Sequence, residues 1–256
     1  MSSTILEAKG ISKYFGGVRA LDKLDLCVSE GEICALIGPN GAGKTTFFNC
    51  ATGIYPATKG ELLYHGKNIV RLRADEITTL GIARTFQAIR LFAGMTALEN
   101  VVVGEYARTK TTFMGAIFQP KWVKSEEKMA IEKAKHYIEF VGLNQYMDEL
   151  AKNLPYGGQR KLEIARALAT EPKLILLDEP AAGMNPVEIQ ELMDLVRKIR
   201  DSGIAVLVIE HHMRMVMEVC ERITVLNYGI KIAEGTPSEV SNDSKVIEAY
   251  LGAQHA

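Results

Sequence analysis

The chain has 256 residues, enough to bury a sizeable core without disulfides or structural metal. Its 30 Lys and Arg stand against 31 Asp and Glu, and the resulting formal charge of −1 argues against binding nucleic acid by bulk charge. At 47% hydrophobic and 24% charged residues it is neither disordered nor collagen-like, and no apolar run nears the roughly 20 residues that span a bilayer.

In chain order, Met1 to Lys9 carries no basic segment followed by an apolar run, so no secretory signal is expected. The first third reads as strands broken by glycine turns. Leu24 to Val28 and Ile33 to Ile37 are β-prone, with Ser29-Glu30-Gly31-Glu32 as the turn between them. The second run is almost wholly apolar, as a central strand covered on both faces should be. It ends at Gly38, and a helix follows from Lys44 to Thr52, stopped by Gly53. After Gln87 the β-rich pattern fades. Ser125 to Val141 reads as an amphipathic helix capped by Ser125, with Ile131, Ala134, Ile138 and Val141 as its apolar stripe. Residues from about 92 to 158 therefore read as a mainly helical insertion.

The last third returns to strand–helix alternation. Leu174 to Leu177 is a buried strand, and Asn185-Pro186 opens a helix with Ile189, Leu192, Met193, Val196 and Ile199 on one face. Ile204 to Ile209 is the next strand, followed by a helix from Met213 to Cys220 and a strand from Ile223 to Leu226. That alternation implies an α/β fold with a mainly parallel sheet. Cys27, Cys34, Cys50 and Cys220 have no zinc or redox spacing and are expected to be buried small residues.

Two segments carry chemistry. Gly38-Pro39-Asn40-Gly41-Ala42-Gly43-Lys44-Thr45 fits the phosphate-loop pattern, with a strand before it and a helix after it. Glycines let backbone amides curl around a polyphosphate, and the helix N-terminus adds partial positive charge. Lys44 offers a full charge to the β- and γ-phosphates, and the Thr45 hydroxyl is a ligand for Mg²⁺. Leu174-Ile175-Leu176-Leu177-Asp178-Glu179-Pro180 is an apolar strand ending in two carboxylates, which places both where ligands of open α/β sheets bind. Asp178 would hold Mg²⁺ through water, and Glu179 would polarise the attacking water as general base.

With these motifs the chain resembles the ATP-binding subunits of ABC transporters from about Leu6 to Gly252. The resemblance implies a P-loop ATPase with an N-terminal antiparallel β part and an inserted helical subdomain. Residues 1–91 and 159–256 would form the nucleotide-binding core, and 92–158 the helical and signature part, of one domain. It adds Thr46 to the ATP-binding loop and assigns Phe15, 23 residues before Gly38, to stack on adenine, with Tyr14 as the next candidate. Gln87, in Arg84-Thr85-Phe86-Gln87, matches the glutamine that senses the γ-phosphate and joins the Mg²⁺ shell. His211, in Ile209-Glu210-His211-His212, matches the switch histidine.

The signature departs from the family's L-S-G-G-Q. Read without gaps it is Leu154-Pro155-Tyr156-Gly157-Gly158, and a gapped register instead sets Tyr156-Gly157-Gly158-Gln159 on S-G-G-Q. In both the serine hydroxyl is missing, whereas Tyr156, Gly157 and Gly158 still open a helix suited to the opposite protomer's ATP. Asn185 stands where the family has an aspartate, and it also suits a helix cap.

Ala181-Ala182-Gly183-Met184-Asn185-Pro186 and the ending Ala249-Tyr250-Leu251-Gly252 resemble importers of branched-chain amino acids, and within them the longer of two ATPase subunits. The implied partners are a second ATPase subunit (identical or not), two membrane permeases and, indirectly, a solute-binding protein, with no nucleic acid. The implied place is peripheral, on the cytoplasmic face of a bacterial-type inner membrane. Phe113, Met114, Ile117, Phe118 and Trp122 form an apolar cluster in the added length, which would touch a partner or pack on its own subdomain. Lipopolysaccharide export and a soluble mechanoenzyme acting on ribosomes or DNA are the alternative functions.

Overall fold

The computed structural model describes residues 3–107 and 121–252. The cluster from Phe113 to Phe118 lies outside the described residues; Trp122 is half exposed.

Among the described residues ten strands form two sheets. β1 (Thr4–Phe15), β2 (Val18–Ser29), β4 (Lys59–Tyr64) and β5 (Lys67–Asn68) make an antiparallel sheet in the order β2-β1-β4-β5. β3 (Ile33–Ile37), β6 (Ile82–Arg84), β7 (Leu174–Asp178), β8 (Ala205–Ile209), β9 (Arg222–Asn227) and β10 (Ile230–Gly235) make the second, ordered β10-β9-β3-β8-β7-β6. Its first five strands in sequence are parallel, and β10 returns antiparallel to β9 as an edge.

Strand periodicity decides where the core sits. Every residue of β3, β7 and β8 is buried, because successive side chains enter two different cores. Cys34, Leu36, Leu174, Leu176 and Leu207 face the antiparallel sheet together with Phe47 and Phe48 of α1 (Lys44–Ala51). Ile33, Ala35, Ile37, Ile175, Leu177, Val206 and Val208 face the helical side. That side combines α3 (Ala97–Glu105), α4 (Lys121–Phe140), α5 (Tyr156–Leu168), α6 (Pro186–Asp201) and α7 (Met213–Val219). α2 (Ala74–Leu80), α8 (Pro237–Ser241) and α9 (Ser244–Gly252) complete the helices described.

Local signals explain the helix starts. Asn185 caps α6, its side chain accepting from the Val187 and Glu188 amides while Glu188 returns to the Asn185 amide, and Pro186 sits at the first helical position. The five apolar residues expected along α6 are all buried. α4 corrects an expectation: it covers Lys121–Phe140, so Ser125 lies inside the helix and caps nothing. Ala134, Ile138 and Val141 are buried as expected, and Ala130 joins them where Ile131 is only half covered. Cys27 is a second correction. It is exposed on β2, whose residues alternate from buried Leu24 to buried Val28, and its Sγ lies 3.2 Å from Arg222 Nη1. The other three cysteines are buried.

Candidate functional site

Four loops converge at the carboxyl edge of the parallel sheet. They follow β3, β6, β7 and β8, and each carries one of the residues singled out above.

The loop after β3 can take its shape only with glycine. A Cβ on Gly38 would stand 2.1 Å from the Leu226 carbonyl oxygen, and one on Gly43, whose φ is +103°, would stand 2.4 Å from that of Ala20. The β9–β10 turn braces the loop, the Gly229 amide donating to the Ala42 carbonyl at 3.0 Å. Lys44 is 7% exposed and its ammonium donates to the carbonyls of Gly38 (2.6 Å) and Pro39 (2.9 Å). Burial depresses its pKa, and the Glu179 and Asp178 carboxylates partly offset that. The loop from Asn40 to Thr46 lines a cleft of about 270 Å³ together with Gln87 and Glu179.

Glu179 is the junction. Its backbone is left-handed at φ +49°, held by its amide donating to the Ile209 carbonyl at 2.9 Å. Such a conformation is uncommon in a residue with a side chain and is kept where surrounding structure enforces it. One oxygen, Oε2, accepts from Gln87 Nε2 at 2.7 Å and lies 3.3 Å from His211 Nε2. Three residues taken from distant segments thus meet at one carboxylate oxygen.

Asp178, 2% exposed, is paired through Oδ2 to Arg84 Nη2 at 2.7 Å, and its Oδ1 is buried without a hydrogen-bond partner. A buried anionic oxygen near a polyphosphate loop, with the Thr45 hydroxyl at the start of α1, suits a hard divalent cation.

Phe15 and the signature residues do not line this cleft. Phe15 is 46% exposed, edge-on to Tyr55 at 5.3 Å, and pairs with Val18 two residues before the cleft residue Ala20. Tyr14 is less exposed. α5 starts at Tyr156 after Pro155, so the amides of Tyr156, Gly157 and Gly158 belong to its first turn, where amides have no intrahelical acceptor. Gly157 is buried against Glu188, and a Cβ there would stand 2.6 Å from Glu188 Oε1.

Sequence reasoning missed the buried charges that hold these loops. Arg84 also donates to Asn49 Oδ1 at 2.7 Å and to Thr52 Oγ1 at 3.2 Å. Glu210, 2% exposed, accepts from the amides of Ala181 (2.7 Å), His211 and His212 (2.9 Å each), so one carboxylate anchors the loops after β7 and β8. Arg160 and Glu163, 3% and 2% exposed, pair at 3.3 Å under the Gln87 loop. Burial raises the Glu163 pKa, and the Phe86 amide, Arg160 and the Arg90 amide act against that rise. The available signal was charge at positions of otherwise apolar elements, such as Arg84 after Ile82-Ala83 and Glu210 after Ile209.

Comparisons with known proteins point to one family. Residues 21–182 match the family model described as ABC transporter, and residues 231–256 match one described as branched-chain amino acid ATP-binding cassette transporter. The chain is 43% identical over 253 residues to the high-affinity branched-chain amino acid transport ATP-binding protein BraF of Pseudomonas aeruginosa, covering 98% of this chain and 99% of that protein. It is 41% identical to the corresponding protein LivG of Escherichia coli over the same shares. Among solved structures, the ADP conformation of an ATP-binding cassette of an ABC transporter is 36% identical with a TM-score of 0.86, covering 98% of this chain and 100% of that one. A dimeric bacterial ABC transporter cassette is 26% identical with a TM-score of 0.77, covering 91% and 98%.

Proposed function

The chain belongs to the ABC transporter family of ATP-binding proteins, and from that premise we propose that it hydrolyses ATP to power import of branched-chain amino acids through separate membrane permeases. The observation that carries the chemistry is the meeting of Gln87, Glu179 and His211 at one oxygen beside the phosphate loop.

The residues act as follows. Backbone amides from Gly38 to Thr46 and the Lys44 ammonium cradle the β- and γ-phosphates, and Phe15 supports the adenine. Glu179 takes a proton from the attacking water as general base, and Gln87 and His211 hold its carboxylate and read the γ-phosphate. Asp178 Oδ1, the Thr45 hydroxyl and the Gln87 side chain are the groups that would hold Mg²⁺. Bound there, Mg²⁺ would offset phosphate charge.

Because the signature residues stand apart from their own cleft, a second ATPase subunit completes each site head to tail. The amides of Tyr156, Gly157 and Gly158 then face its nucleotide. Residues 92–158 act as a helical subdomain joined to the core formed by 1–91 and 159–256. Between them, a groove of about 400 Å³ lined by Arg84, Phe86, Arg90, Phe92, Glu163 and Arg166 suits a permease element. The chain would then work at the cytoplasmic membrane face, held there by its permease partners, as the likeness to transport ATP-binding proteins supports. No helix of the described residues is long and apolar enough to cross a bilayer.

Purified protein carrying Glu179→Gln should bind ATP as the parent does and turn over about 100-fold or more slowly, the size of a general-base contribution. Parental turnover would overturn the assignment of the base. Isolating the native complex tests the solute: permeases of branched-chain amino acid import are expected, and lipopolysaccharide-export permeases would overturn that choice.

A further inference from the structure

The loop that carries Gln87 is held by one turn of α5. Arg160 donates through Nη1 to the Phe86 carbonyl at 2.8 Å and through Nη2 to the Gln87 carbonyl. Glu163 Oε1 accepts from the Phe86 and Arg90 amides, at 3.4 Å each. Four backbone groups of a five-residue loop thus depend on two buried, mutually paired side chains.

Tyr156 ties this clamp to the loop after Glu179. Its hydroxyl accepts from Arg160 Nη2 at 3.1 Å, the nitrogen that also holds the Gln87 carbonyl. Arg160 Nε is buried with no acceptor, so the guanidinium depends on the few acceptors it has. The Tyr156 ring lies flush on Gly183. A Cβ on Gly183 would stand 3.2 Å from ring atom Cε1 and 3.3 Å from Cζ, and its φ of +78° favours glycine. Gly183 lies four residues beyond Glu179, whose Oε2 accepts from Gln87. These contacts, with the short stretch of chain from Glu179 to Gly183, close a circuit: Glu179, Gly183, Tyr156, Arg160, Gln87, and back to Glu179.

We infer that the Tyr156 side chain is a positioning residue acting within its own chain, linking the first turn of α5 to Gln87 and Glu179. The inference rests on the head-to-tail reading above. There the amides of that turn face the partner's nucleotide, so a shift of the turn on closure is felt by the hydrolytic residues of the same chain. Tyr156 thereby couples the partner's nucleotide to this chain's own water-activating group.

Tyr156→Phe tests it, because it keeps the ring on Gly183 and removes only the acceptor. In the purified chain, hydrogen exchange of the Phe86 and Arg90 amides should speed up about tenfold while the β3 amides stay unchanged, the size expected for a lost bond to a charged group. Unchanged exchange at 86–90 overturns the relay. Mixed dimers with Glu179→Gln in one protomer then leave a single hydrolysing site. With Tyr156→Phe on the chain that keeps Glu179, kcat should fall between about 5- and 100-fold and KM for ATP should stay within about twofold, as for misplacement of a catalytic group. On the Glu179→Gln chain, whose turn meets the hydrolysing site through backbone amides that the substitution keeps, the fall in kcat should be several-fold smaller. An equal or larger fall from that opposite chain, or no fall from either, overturns the relay. A mixed dimer without turnover before Tyr156 is altered would count against the head-to-tail reading alone, and the exchange result would still decide the relay.

Discussion

Replacing Arg84 with Met isolates the buried pair beneath the site. The change keeps a long apolar stem near Phe48 and Phe86, whose ring centres lie 5.4 and 5.0 Å from the guanidinium carbon, and deletes only the charge and its donors. Asp178 then keeps a carboxylate with one oxygen already unpartnered and the other newly so, in a side chain that is 2% exposed. Breaking one half of a buried ion pair costs about 3–5 kcal/mol. For a chain of this size, with about 2–4 °C per kcal/mol, the midpoint of thermal unfolding should fall by about 6–20 °C. The assay is thermal unfolding followed by circular dichroism in nucleotide-free buffer. Adding Asp178→Asn removes the stranded charge, so the double variant should be more stable than the sum of its singles by about 1–3 kcal/mol. A midpoint within about 2 °C of the parent for Arg84→Met, or strict additivity in the double variant, would refute the reasoning.

Two smaller expectations concern elements farther from the chemistry. Asn185→Ala removes the cap of α6 and should cost about 1 kcal/mol, read as a shift in urea midpoint, whereas Asn185→Ser should lose only a fraction of that. Glu32 receives both Arg222 Nε and Nη2 at 2.8 Å and the Ser29 amide at 2.8 Å. Burial pushes its pKa up, but those hydrogen bonds outweigh it and the net shift is below the ordinary 4.5. A lowered carboxyl pKa stabilises the fold above that ordinary value, and the contribution fades as pH falls through the folded-state pKa. Glu32→Gln should therefore be less stable than the parent at neutral pH, and the difference should close on acidification below about pH 4.5. A gap between the two urea midpoints that stays constant down to about pH 3 would contradict the sign.

Most of what was legible in the sequence is local. The phosphate loop, the acid-ended β7 and the cap of α6 are spelled by residues within a few positions of one another, and their backbone demands are met in place. The exposure of Cys27 is legible too, in the alternation from Leu24 to Val28 rather than in the apolar look of the segment. Ser125 is a good capping residue that lies inside a helix, because the buried apolar side of α4 reaches back to Val123. The clamps were hidden for a different reason. Arg84 finds Asp178 across 94 positions, and Arg160 finds the Phe86 carbonyl across 74. Such pairings exist only once β6 is laid beside β7 and α5 is packed against that edge, so no local pattern announces them.

The division of β3, β7 and β8 between two cores has a consequence for how this chain can vary. A single residue inserted into β7 would turn Ile175 and Leu177 toward the antiparallel sheet and Leu174 and Leu176 toward the helices. It would also carry Asp178 and Glu179 about 3.3 Å past Arg84 and Gln87. Packing and chemistry would fail together. The length of each central strand is thereby fixed to the residue, and additions to the chain belong in its connections.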